Sequence, residues 1–146
     1  MSLIKSLLYV RYCVLIVFIS GITNFVLDEF FSVENDYGMI QSSPLLSDSK
    51  FIHLLSSVLL IFWVGNLFSQ HILAKLKSKK IVSRNIGLVL VGIFIFLVLS
   101  GFFLFYLTNE NYLDLLGILH LIGGVVFGIL FGIHLRVKNH DRTIKR

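Results

Sequence analysis

Histidine is the commonest protein ligand for transition metals and the side chain whose charge changes near neutral pH. Its placement is therefore the first chemical signal in a chain this poor in charge. Four of the five histidines lie on two apolar runs, His53 and His71 on one, His120 and His134 on the other. They stand 18 and 14 positions apart. On a helix turning ~100° per residue, 18 steps return almost to the starting direction and 14 fall about 40° short. Each run is thus expected to show its two imidazoles on one face, which suits coordination of a metal centre held by facing helices. Other chemistries lack their parts: there is no phosphate-binding loop, no dinucleotide fingerprint, no Ser-His-Asp arrangement and no C-x-x-C-H motif. A covalent c-type haem is excluded by the last of these.

The elements that would carry these histidines are long and apolar. Of 146 residues, 56% are hydrophobic and 14% charged, against roughly 25% charged in a water-soluble domain. Four apolar runs, about 7–27, 51–74, 86–107 and 113–135, are each close to the ~20 residues a helix needs to cross the hydrocarbon core. The first run is read as a retained helix and not a cleaved signal peptide. No A-x-A-like site follows it, and Phe18, Ile19, Ile22 and Phe25 continue the apolar stretch. The lone Cys13 lies within it, so no intramolecular disulfide can form.

The linking segments differ in sign. The outer loop 28–50 holds Asp28, Glu29, Glu34, Asp36 and Asp48 against Lys50, and Glu110 and Asp114 flank the third link. The inner loop 75–85 holds Lys75, Lys77, Lys79, Lys80 and Arg84 with no acid, and the tail holds Arg136, Lys138, Arg142, Lys145 and Arg146 against Asp141. With the N-terminus inside, beside Lys5 and Arg11, all but one of the 13 basic residues are cytoplasmic and all but one of the 8 acids lie outside. The positive-inside rule therefore predicts an N-in/C-in protein. The net charge of +5 reports topology and contact with anionic lipid headgroups, so nucleic acid is not expected as a partner. The fold class follows: all-α, an integral membrane four-helix bundle, read as a single transmembrane domain over 1–146.

This topology sets the histidines at two depths. The second and fourth runs both cross from outside to inside, so His53 and His120 share the outer level and His71 and His134 the inner one. Two same-face pairs at two matched depths are what two stacked bis-histidine haems require, since imidazole nitrogen is a standard axial ligand of haem iron. Fourteen residues place His120 and His134 ~21 Å apart along a helix axis, and 18 residues give ~27 Å for His53 and His71. Helix tilt can absorb part of the difference.

The two halves also echo each other. Ser20-Gly21 in the first run is matched by Ser100-Gly101 in the third. His53-Leu54-Leu55-Ser56-Ser57-Val58 is matched by His120-Leu121-Ile122-Gly123-Gly124-Val125, with Gly65 and Gly132 each 12 positions beyond the histidine. A twofold repeat of helical hairpins is the architecture this suggests. Gly87, Gly101, Gly123, Gly124, Gly128 and Gly132 offer positions without side chains, which a macrocycle between helices needs and which close helix packing uses equally well.

These residues resemble the small four-helix di-haem cytochromes b of bacterial membranes. Ser100-Gly101, a short loop, then His120 and His134 carry the likeness best, and it covers roughly 50–136. The resemblance implies two non-covalent haems b (heme b) and electron transfer across the inner (cytoplasmic) membrane of a bacterium, to or from a quinone or quinol or a partner redox protein. It implies His120 and His134 as axial ligands, with His53 and His71 opposite them. The second run departs from the pattern, which would set a histidine at Leu67 where this chain has His71 one turn later.

Lesser candidates complete the reading. Arg11, Arg84 and Arg136 lie where they would anchor topology, and could pair with haem propionates. Trp63 and Tyr106 are read as packing residues that could line a haem edge. Asn66 and Gln70 could hydrogen-bond an imidazole from behind. His140 belongs to the charged tail and is left out of the site. The chain is expected to be an electron-transfer oxidoreductase or a subunit of a larger membrane complex, and with no flavin or iron–sulfur motif at least one redox partner must come from elsewhere. Two readings compete with it: a haem-free structural or assembly subunit, and a small proton or metal transporter. The apolar middles of all four spans argue against the transporter.

Overall fold

The computed structural model describes residues 3–34, 40–74 and 81–143. Lys75, Lys77, Lys79, Lys80, Asp36, Lys145 and Arg146 lie outside the described residues, as do the side chains of Gln70, His71, Lys138 and His140. Among the described residues the elements are all helices apart from one minimal ladder. Helix α1 spans Leu3–Phe30, α2 Pro44–Leu67, α3 Ile81–Tyr106 and α4 Glu110–Thr143. Each contains a segment long and apolar enough to cross a membrane: Lys5–Phe30, Pro44–Leu67, Arg84–Tyr106 and Asn111–Arg136. Four such segments suggest a multi-pass membrane protein. In hydrocarbon, a helix is the one open-ended element that satisfies all of its own backbone donors and acceptors.

The chain resolves into two compact units, Met1–Gln70 and His71–Arg146. In the first unit α1 packs along α2. Their link is shorter than the expected outer loop, because α1 runs on to Phe30 and α2 starts at Pro44. Within it, strands β1 (Val33–Glu34) and β2 (Ile40–Gln41) pair antiparallel, Val33 opposite Gln41 and Glu34 opposite Ile40. Proline suits the first turn of α2 because its missing N–H would have had no intrahelical partner there. Leu46 N–H, the next donor with a partner, bonds the Ser43 carbonyl at 2.9 Å.

The buried face of α2 reads Leu46, Ser49, Ser56, Leu60 and Leu67, with half-buried His53 and Trp63 completing an alternation of three and four residues. That is the seam of two helices crossing at a shallow angle. It meets Ser6, Val10, Cys13, Val14 and Ser20 of α1. Small residues recur in this seam, Ser6, Cys13, Ser20, Ser49 and Ser56, because in lipid helices associate through close contact and not through exclusion of water. The serine hydroxyls are satisfied by carbonyls one turn back, as Ser56 Oγ–H donates to Ile52 at 2.7 Å. Large apolar side chains such as Ile19, Phe62, Phe105 and Ile129 point outward and are exposed. Such exposure suggests a lipid bilayer environment, the one the sequence anticipates.

Beyond Leu67 the second helix does not stop. Phe68–Leu73 continues as a π-helical turn, and His71 sits in it. The arithmetic that placed His53 and His71 on one face assumes α-helix throughout. The wider i→i+5 turn interrupts that assumption over the last residues.

In the second unit α3 packs along α4, joined by the short turn 107–109. Asn109 starts α4: its carbonyl accepts from Leu113 N–H at 3.0 Å and its side-chain Oδ1 from Tyr112 N–H at 3.4 Å. At 34 residues, α4 is ~50 Å long at 1.5 Å per residue, longer than a bilayer's hydrocarbon core. It carries His120 and His134 on one unbroken helix.

Candidate functional site: a serine–glycine step against a histidine, twice

In the first unit His53, half-buried on α2, turns its ring onto Ser20 and Gly21 of α1. Ser20 Oγ lies 3.1 Å from His53 Nδ1, and the Val17 carbonyl lies 3.1 Å from the same nitrogen. A Cβ added at Gly21 would stand 3.1 Å from His53 Cε1 and 3.5 Å from Nδ1. Glycine suits this step because a side chain there would make the imidazole edge give way by a few tenths of an ångström.

The second unit builds the same contact from different helices. Ser100 Oγ lies 2.7 Å from His120 Nδ1, and a Cβ at Gly101 would stand 3.4 Å from His120 Cε1. Ser20 and Ser100 are both buried. A serine–glycine step on one helix thus receives the histidine of the next, in each unit.

The partners of each Nδ1 bear on where the ring hydrogen sits. The Ser20 hydroxyl has one hydrogen, and it is directed at main-chain carbonyls, Ile16 at 2.8 Å and Val17 at 3.1 Å. Toward His53 its oxygen is therefore an acceptor, and the Val17 carbonyl can only accept. Nδ1 of His53 carries the hydrogen. Ser100 Oγ likewise lies 3.2 Å from the Leu97 carbonyl, to which it can donate, and 2.7 Å from His120 Nδ1. With the hydrogen on Nδ1, the basic lone pair of a neutral imidazole is on Nε2.

The remaining expected residues fall into place unevenly. His134 is half-buried on α4, 14 positions beyond His120 on continuous α-helix. The backbone of His71 lies in the π-helical turn. Trp63 stacks on Tyr9 of α1 at 4.7 Å between ring centroids, and Tyr106 packs on Phe102 one turn back at 4.6 Å, so both have packing roles. Asn66 is exposed within its unit, and Arg11 and Arg84 are half-buried. Gly123 is held closely, a Cβ there meeting Leu97 and Phe96 at 3.2 Å. Among the described residues nothing stands within 4 Å of a Cβ at Gly65, Gly87, Gly124 or Gly132.

One polar group was missed by the reading of spacing alone. Asn24, one turn along α1 from Ser20, has a buried Oδ1 without a hydrogen-bond partner among the described residues. Its signal was an amide inside an apolar run. Among the described residues no three His, Cys, Asp or Glu side chains converge on one point. Neither family models, nor characterised proteins, nor solved structures give a match to this sequence.

Proposed function

We propose that this chain is a di-haem cytochrome b that carries electrons across the inner membrane of a bacterium, exchanging them with a quinone or a partner redox subunit. His53 and His120 would hold an outer haem b, and His71 and His134 an inner one. The observation that carries the reading is the pair of imidazoles that each set Nδ1 against a buried serine, Ser20 or Ser100, at 3.1 and 2.7 Å. Metal-bound histidines regularly donate their other ring N–H to an oxygen in this way. The chemistry that bound haem b supplies is one-electron exchange between ferric and ferrous iron.

The donor set fits that group. Zinc held by protein alone takes about four ligands, whereas a haem brings its own equatorial nitrogens and asks the chain for two axial ones. The chain supplies imidazoles at separate positions on helices rich in apolar residues and glycine. The charge asymmetry of the loops supports an N-in/C-in arrangement, and hence the pairing of His53 with His120 and His71 with His134 by depth. The recurrence of the serine–glycine–histidine contact supports two hairpins of common design.

The test is the spectral grouping of histidine variants in detergent-purified protein. His53→Ala and His120→Ala should remove or convert to high spin the same haem and leave the other intact. His71→Ala and His134→Ala should both affect the second. Variants that all keep two low-spin haems would sink the assignment. A chain whose histidines only join helices would lose stability in these variants and show no haem bands to lose.

A further inference from the structure

We propose that Ser20 and Ser100 are positioning residues: each fixes its histidine in the Nδ1–H tautomer and raises the electron-donating power of Nε2, so that both set the behaviour of a bound metal without touching it. The effect on haem rests on the cytochrome reading above, whereas the tautomer is a property of the chain alone.

Two contacts, built independently, carry the inference. Ser20 and His53 are 33 positions apart and Ser100 and His120 are 20 apart, across links of different length, yet the same three residue types meet. A serine used only to let helices pack needs no fixed partner on the neighbouring helix. Here each hydroxyl also has a carbonyl of its own helix to donate to, Ile16 for Ser20 and Leu97 for Ser100, so that its oxygen can accept from the ring. The following glycine removes the one group that would push the ring away, with a Cβ meeting Cε1 at 3.1 Å at Gly21 and 3.4 Å at Gly101.

The electronic consequence follows from that orientation. An Nδ1–H donated to oxygen makes the imidazole a stronger donor at Nε2, which favours ferric over ferrous iron and lowers the reduction potential. Loss of such a partner typically weakens metal binding about 10- to 100-fold. Removal of the hydroxyl should therefore raise the midpoint potential of one haem and loosen its retention. Restoring a hydroxyl should restore both.

The experiment uses the full-length chain, labelled with 15N-histidine and purified in detergent, as wild type, Ser20→Ala, Ser100→Ala, Ser20→Thr and Ser100→Thr. With haem bound, a potentiometric titration and competition with apo-myoglobin read potential and retention. Each alanine variant is expected to show one haem at higher potential that transfers about 10-fold more readily, and the threonine variants to stay near wild type. Haem content of wild type with potential and retention unmoved in both alanine variants would overturn the inference while leaving the cytochrome reading intact. A wild-type chain that carries no haem sinks the cytochrome reading, and the imidazole 15N shifts then decide the positioning role alone. Two histidines in the Nδ1–H form that become mixed in the alanine variants would support it, and the Nε2–H form in wild type would overturn it.

Discussion

Three glycines can be distinguished by what a methyl group would meet. At Gly21 and Gly101 the neighbour is an imidazole, at 3.1 and 3.4 Å, and at Gly123 it is Phe96 and Leu97 at 3.2 Å. Overpacking a well-fitted contact costs about 1–3 kcal/mol. Gly21→Ala should displace the His53 ring and perturb one haem spectrally, with Gly101→Ala acting in the same direction more weakly because its contact is nearer ordinary. Gly123→Ala should lower thermal stability with the spectrum unchanged. Absorption spectra and melting of the three variants check that ordering, and a Gly123→Ala spectrum that shifts as much as Gly21→Ala would refute it. Histidine positions and the serine–glycine echo were legible in the sequence, because residue type and spacing are local facts. That Ser20 meets His53 was not, because helical periodicity gives an azimuth and never the neighbour lying across from it. The same limit hid the Tyr9–Trp63 stack and the buried Asn24 Oδ1.

At the scale of elements, four apolar helices were readable from hydropathy, since a ~30 Å hydrocarbon layer dictates their length. Their ends were less so. Helix α2 starts at Pro44, ahead of the apolar run at Phe51, because proline at a first turn and the pairing of β1 with β2 are decided by backbone hydrogen bonding and not by hydropathy. The π-helical turn at Phe68–Leu73 has no sequence signature that spacing can detect, yet it governs the segment bearing His71. Helix direction is what the loop charges predict. A periplasmic reporter fused within 36–48 should be active and one fused at Lys145 inactive, since Lys and Arg are retained on the cytoplasmic side. The opposite pattern would invert the outer and inner assignments of all four histidines while leaving the helices as they are.

For the whole molecule, each unit taken alone leaves most of its large apolar side chains exposed, among them Leu15, Phe51, Phe96 and Ile122. In water such a surface would aggregate. In a bilayer it is the ordinary exterior, and specificity must come from the few polar groups within. Among those groups, His53 with Ser20 and His120 with Ser100 are the ones that join neighbouring helices through a ring nitrogen, which is why the account stands or falls on what they hold. The most direct measurement is the haem content of the detergent-purified chain, made with haem supplied and assayed as the pyridine haemochromogen against protein concentration. The account predicts b-type haem, close to two per chain, lost on denaturation because neither is covalently attached. Well-folded protein that yields no haem would contradict it.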